Sequence, residues 1–344
     1  MFRSAPIMSE LSITDIRAAA SAIAGKVLRT PTVPALTLSR RLGVELLLKL
    51  DQLQPTGAFK LRGATNAIGA LPPETKGVTC CSTGNHGRAV AFAAREKGLR
   101  AVICMSELVP KTKVDGIRAL GAEIRIVGRS QDDAQIESTR LAAEEGLVEI
   151  PPFDDLAVIA GQGTIALEML ADRPDIRTLL VPLSGGGLAA GIAFAGKAID
   201  PSMKVVGMSM DQGAAMHESL KAGRPVAVTE VESLADSLGG GIGVQNRHTF
   251  ALCRDYLDDV VLVTEDEIYE AMQALYYKER LVAEGACVVG IAALMAGKLP
   301  SLKGPVATII TGRNVDMTMF NDVVAGKDVK LGDRTVKGRS YRLG

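Results

Sequence analysis

Along most of this chain, short apolar runs alternate with segments of helical period, and the turns after the apolar runs are rich in glycine. That alternation limits the fold more than any other feature. A strand, a helix and a second strand in regular succession build parallel sheets covered by helices. Residues 77–81 (Gly-Val-Thr-Cys-Cys) read as a strand that ends at the loop Ser82-Thr83-Gly84-Asn85-His86-Gly87. A helix is expected over 88–97, with Ala89, Val90, Ala93 and Ala94 on one face and Gly98 as its stop. Strands at 101–105 and 124–127 flank a helix at 110–120, and a helix at 134–145 precedes a strand at 147–150. A second α/β region follows. It has a helix at 156–171, a strand at 178–183, a glycine loop, a helix at 188–198, and strands at 204–210, 259–263 and 306–310. Thr264-Glu265-Asp266-Glu267 is a capping box that opens a helix. The expected fold is α/β, with two parallel-sheet lobes and helices on both faces. Residues 77–153 would form the smaller lobe, inserted into a larger one made of 1–76 and 154–325, with 326–344 as a solvated, locally basic tail.

Composition narrows the function classes. At 344 residues the chain can bury a large core in two lobes. Its formal net charge is zero, which gives no sign of a nucleic-acid partner. The longest nearly uncharged run, 178–196, is broken by Pro182 and three glycines, so a buried strand, loop and helix is expected rather than a membrane span. The N-terminus lacks the continuous apolar segment of a secretory signal. Five cysteines without CxxC spacing suggest neither a disulfide framework nor a zinc site, and a cytoplasmic location fits them. Cys80, Cys81 and Cys104 read as small core residues.

Three elements carry chemistry. Gly57-Ala58-Phe59-Lys60 places an aromatic ring beside an amine that can form a Schiff base. Ser184-Gly185-Gly186-Gly187-Leu188 follows a strand and opens a helix, so its backbone N–H groups and the helix dipole suit a phosphate monoester. The spacing is neither that of a dinucleotide fingerprint nor that of a P-loop. The loop 82–87 sits in the same strand-to-helix context and suits a carboxylate. Taken singly, the lysine is also an ordinary surface residue and either loop an ordinary turn. In this order they describe a pyridoxal phosphate (PLP) enzyme acting on a small-molecule amino acid. His86 can be read as a general base, although no carboxylate stands at a fixed spacing from it; His217 and His248 have no motif around them.

The stretches PTGAFKLRGA (55–64), STGNHG (82–87), AVIAGQGTIALE (157–168), PLSGGGL (182–188) and TGRNVD (311–316) resemble the fold type II PLP enzymes, and more narrowly the serine/threonine dehydratase and serine racemase family. The likeness spans 29–321. It implies PLP in the cleft between the lobes, with Lys60 as the catalytic Schiff-base lysine and Phe59 near the ring. Asn85 would bond the ring hydroxyl, Ser184, Gly185, Gly186, Gly187 and Leu188 the phosphate, and Thr311 the ring nitrogen. Ser82, Thr83, Gly84, Asn85 and His86 would hold the substrate carboxylate. The activity implied is removal of water from an L-β-hydroxy amino acid to give a 2-oxo acid and ammonia. A homodimer is implied too, and no C-terminal regulatory domain is expected. The runs STGNHGRA and TGRNVD are most similar to the hydroxyectoine utilisation branch.

The chain departs from the family pattern in several places. Thr83 stands where racemases have a serine hydroxyl as the opposite-face acid/base, so an amino-acid racemase is the alternative. Ser209 replaces the glutamate of the family's cation segment, and no metal is expected. Ser237 replaces a glycine near the ring hydroxyl, and Arg313 brings a charge close to the cofactor, where it either reads a second acidic group on a substrate or simply pairs with a neighbour. A nicotinamide-dependent oxidoreductase is disfavoured by the absent GxGxxG, and a non-catalytic binding protein by the survival of every loop together with the lysine.

Overall fold

The computed structural model describes residues 10–341 except 83, 110, 301 and 303, and the side chains of 112 and 113 are likewise outside the description. Two separate sheets organise the chain. The larger has six strands in the order β1 (Thr32–Pro34), β2 (Leu46–Lys49), β10 (Val306–Ile309), β7 (Thr178–Pro182), β8 (Lys204–Met210) and β9 (Asp259–Val263). All neighbours run parallel except β1, which is antiparallel to β2. The smaller sheet is parallel throughout, in the order β5 (Glu123–Ile126), β4 (Arg100–Met105), β3 (Gly77–Cys81) and β6 (Val148–Glu149).

The two-residue period of each strand divides its side chains between two cores. Leu46 and Leu48 join one cluster with Val206, Met208 and Met210, while Leu47 joins the cluster on the opposite face with Val205. In the smaller sheet Val78, Cys80, Ile103 and Met105 face one way, and Cys81, Val102 and Cys104 the other. All five cysteines are buried free thiols. Among the described residues no helix is long and apolar enough to cross a membrane.

Both sheets reverse their strand order once. In the large sheet the chain steps from β7 to β8 to β9 and then returns to place β10 on the other side of β7. In the small sheet it steps from β3 to β4 to β5 and returns to place β6 on the other side of β3. The loops that leave β7 and β10, and those that leave β3 and β6, start at these reversals, the places where open α/β sheets bind ligands. The loops 82–87, 184–188 and 311–316 follow β3, β7 and β10, and Lys60 lies beside the last of them.

The C-terminal segment differs from the expected solvated tail. Val329–Leu331 and Arg334–Val336 pair as an antiparallel hairpin (β11 and β12). Val329, Leu331 and Val336 are buried in the core of the large sheet, and Lys330 and Lys337 beside them are exposed. The helix expected at 88–97 begins earlier, at Asn85.

Candidate active site

Lys60 begins the helix Lys60–Gly69, and the segment before it is clamped to the loop after β10. The Phe59 N–H donates to the Thr311 carbonyl at 2.9 Å, and the Arg313 N–H donates to the Gly57 carbonyl at 2.9 Å. Ala58 and Gly312 form an antiparallel bridge between these bonds. The lysine and Thr311 are thus fixed to each other through the backbone. Two residues further on, Arg62 is fully buried and anchors the helix. It donates to Asp51 (2.7 and 2.9 Å) and to Glu168 (2.6 Å) on the helix Leu156–Asp172. Lys49 completes this ionic network, 2.6 Å from Glu168. Deleting one partner of such a network strands a buried charge, which is costly.

The Lys60 amine donates to the Pro152 carbonyl at 2.6 Å and lies 5.4 Å from the centre of the Phe59 ring. By surface area the residue is only half-buried. Its amine is nevertheless enclosed closely enough to lose solvation, and that desolvation pulls its pKa from 10.5 to about 8. Among the described residues no carboxylate is within ion-pair distance of it.

Pro152 also connects the lysine to the glycine loop, because the next residue, Phe153, lies against Gly185 and Gly187. A Cβ on Gly185 would collide with the Phe153 ring, and one on Gly187 would come within 2.9 Å of the Phe153 Cα. Gly186 has φ +94 and caps the helix Gly187–Ile199; a Cβ there would lie 2.7 Å from Met216 Cε and 3.0 Å from Thr249 Cβ. Ser184 and Leu188 flank these three positions, Leu188 already inside the helix and buried.

The loop after β3 is organised differently. Ser82 Oγ accepts from the N–H groups of Gly87 (3.1 Å) and Gly84 (3.4 Å). His86 is buried, and its Nε2 is 2.8 Å from the Ile150 carbonyl beyond β6. Desolvation, reinforced by the nearby Lys60 charge, drives its pKa from 6.5 down to about 3. A buried neutral ring hydrogen-bonded to a carbonyl acts as a structural prop, which weighs against the general-base reading. Thr83 lies outside the described residues.

Asn85 heads the helix Asn85–Lys97. Its amide reaches Glu284, an acid absent from the sequence reading. Thr311, buried at the far side of the cluster, has its Oγ1 3.2 Å from the Cys287 Sγ. Glu284 and Cys287 lie in one stretch, 281–296, in which Glu284 is the only charged residue. A lone charge in so apolar a run was the signal available. Ser209 is buried in β8. Among the described residues no group of three His, Cys, Asp or Glu side chains is placed to hold a metal ion.

Residues 23–312 match the family described as "Pyridoxal-phosphate dependent enzyme". The chain is 53% identical over 321 residues to a putative threonine dehydratase of Sinorhizobium fredii, covering 93% of this chain and 97% of that one. It is 38% identical over 331 residues to an L-threonine ammonia-lyase of Geobacter sulfurreducens, covering 93% and 81%. Among solved structures, maize serine racemase superposes with a TM-score of 0.85 at 34% identity, covering 90% of this chain and 95% of the other.

Proposed function

The chain belongs to the pyridoxal-phosphate dependent enzyme family and is a PLP-dependent lyase of threonine dehydratase type, and from that premise we propose that it removes water from an L-β-hydroxy amino acid, threonine or serine in kind, to give a 2-oxo acid and ammonia. The observation that carries this reading is the Lys60 amine. It is enclosed, unpaired with any acid among the described residues, and shifted to about 8, so that both of its protonation states are within reach near neutral pH.

The residues present fit the cofactor. The amine is available, the three glycines form a cradle in which every Cβ position is already taken, and Thr311 offers a buried neutral hydroxyl at the position that the resemblance assigns to the ring nitrogen, where the family usually has Ser or Cys. When bound, PLP supplies the electron sink that makes loss of an α-proton feasible. In this reading Lys60 carries the cofactor and, once released, accepts the α-proton on Nζ. The Pro152 carbonyl is the acceptor that steadies the free amine between these tasks. Backbone N–H groups of 184–188 hold the phosphate at the start of the helix Gly187–Ile199, and those of 82–86 hold the substrate carboxylate at the start of the helix Asn85–Lys97. Asn85 serves the ring hydroxyl. Thr311 serves the ring nitrogen without supplying a charge, which moderates the sink and suits elimination.

Within this substrate class the reading extends to a hydroxyectoine-derived amino acid with a second acidic group. Supporting it, the exposed Arg313 has no ion-pair partner among the described residues and sits next to the Gly57 clamp. The enzyme is taken as a cytoplasmic homodimer, and the five buried free thiols suit a reducing compartment. Assay of a panel of L-β-hydroxy amino acids for ammonia and 2-oxo acid tests the proposal. Oxo acid is the expected product. A D-amino acid as the main product would replace elimination by racemisation.

A further inference from the structure

Glu284 is 3% exposed and takes part in no step described so far. Among the described residues no Lys, Arg or His pairs with it. Its carboxylate is held by neutral donors instead. Asn85 Nδ2 is 3.0 Å from both Oε1 and Oε2, the Asn314 N–H donates to Oε1 at 2.9 Å, and Ser237 Oγ donates to Oε2 at 3.1 Å. Gly312 makes room for it, since a Cβ there would collide with Oε1. The other end of the Asn85 amide is fixed as well: Oδ1 accepts from Asn314 Nδ2 at 2.6 Å, and that nitrogen also donates to the Thr56 carbonyl at 2.9 Å.

The amide of Asn85 therefore cannot turn over without breaking bonds at both ends. Its nitrogen has two hydrogens. One is directed at Glu284, and the second has no acceptor among the described residues. Asn85 and Ser237 are the two side chains that the family resemblance places at the ring hydroxyl, and both converge on this carboxylate. We propose that Glu284 is a positioning residue for the elimination: ionised, it holds Asn85 and Ser237 so that one N–H of Asn85 is presented to the ring hydroxyl oxygen, and on protonation it lets go of them. The inference rests on the reading of Asn85 above.

Burial raises the Glu284 carboxyl above its usual range, and the charge of Asp236 adds to this; the bonds from Asn85, Asn314 and Ser237 work against it. The titratable groups facing Glu284 are Asp236, on the turn Asp236–Leu238, and the Cys287 thiol, which burial pushes up to about 12 and so keeps neutral. Protonation grows as the pH falls, so loss of the ionised form sets an acid limb on activity.

The test compares wild type, Glu284→Gln and Ser237→Ala, each loaded with PLP. Glutamine keeps the shape but offers one acceptor oxygen and cannot ionise. In Glu284→Gln the near-visible absorption band without substrate should shift from its wild-type position and stop responding to acid. kcat should fall roughly tenfold or more while KM stays within about threefold. Ser237→Ala removes a donor that favours the ionised form, so its acid limb should move to higher pH. An unchanged band with unchanged pH response in Glu284→Gln overturns the proposal. If that variant does not fold, an acid limb in Ser237→Ala that stays at the wild-type pH overturns it instead. The wild type separates the two levels: failure to release oxo acid sinks the elimination reading, while the spectral comparison still decides the role of Glu284.

Discussion

At the end of β3, the loop 82–87 is held by its own side chains. Ser82 caps two N–H groups, Asn85 spans Glu284 and Asn314, and His86 reaches the carbonyl of Ile150. At the end of β7, the loop 184–188 is shaped from outside, by Phe153, Met216 and Thr249 packed where its glycines lack a Cβ. Both loops start a thirteen-residue helix at a point where strand order reverses. A loop built from side chains contains groups that titrate and can be tuned. A loop built from bare backbone is indifferent to pH and intolerant of any added carbon. The first should therefore fail by chemistry and the second by sterics.

Gly186→Val attacks the second loop where it is weakest. The backbone has φ +94, a conformation that costs a β-branched residue roughly 1–3 kcal/mol, and Met216 and Thr249 fill the required space. Affinity for PLP, followed by absorbance titration, should fall about a hundredfold, equivalent to some 2.7 kcal/mol. Full occupancy at wild-type concentrations would break the comparison.

His86→Gln probes the first loop. With its pKa at about 3 when folded and near 6.5 when unfolded, the unfolded state binds the extra proton between those values. Stability from the neutral ring is present above pH 6.5 and lost as the pH falls towards 3, by at most about 3 kcal/mol at pH 4. Glutamine can donate to Ile150 without titrating. In urea unfolding the variant should lose less stability than wild type between pH 7 and pH 4.5, and equal losses would show that His86 is not the titrating group. Ser82→Ala is milder, removing one acceptor shared by two N–H groups, and should cost about 1 kcal/mol. The smallest effect is expected from chelation. With Ser209 buried where the family's glutamate would stand, activity after removal of divalent cations should be unchanged, and specific recovery with magnesium or calcium would contradict this.

The parallel sheets and both loops were legible because strand and helix periods alternate cleanly from 77 to 210. The hairpin at 329–336 was hidden by its charges. Lys330 and Arg334 suggested a solvated tail, although Val329, Leu331 and Val336 alternate with polar neighbours. The helix Lys60–Gly69 was missed as an element even though its first residue was identified, because Gly63 and Gly69 weaken its local signal and packing decides the outcome. The π-helical turn Leu275–Glu279 and the left-handed Arg280 (φ 60) that precede Glu284 have no sequence signature. Glu284 has no local signature of its role: only the fold brings residue 284 next to 85, 237 and 314.

The central claim is that the enclosed amine of Lys60 carries the cofactor between these two loops. Borohydride reduction of the PLP-loaded enzyme, followed by peptide mapping, tests it directly. The account predicts a stable label on Lys60 and none in Lys60→Ala. A label on any other lysine, with Lys60 unmodified, would contradict it.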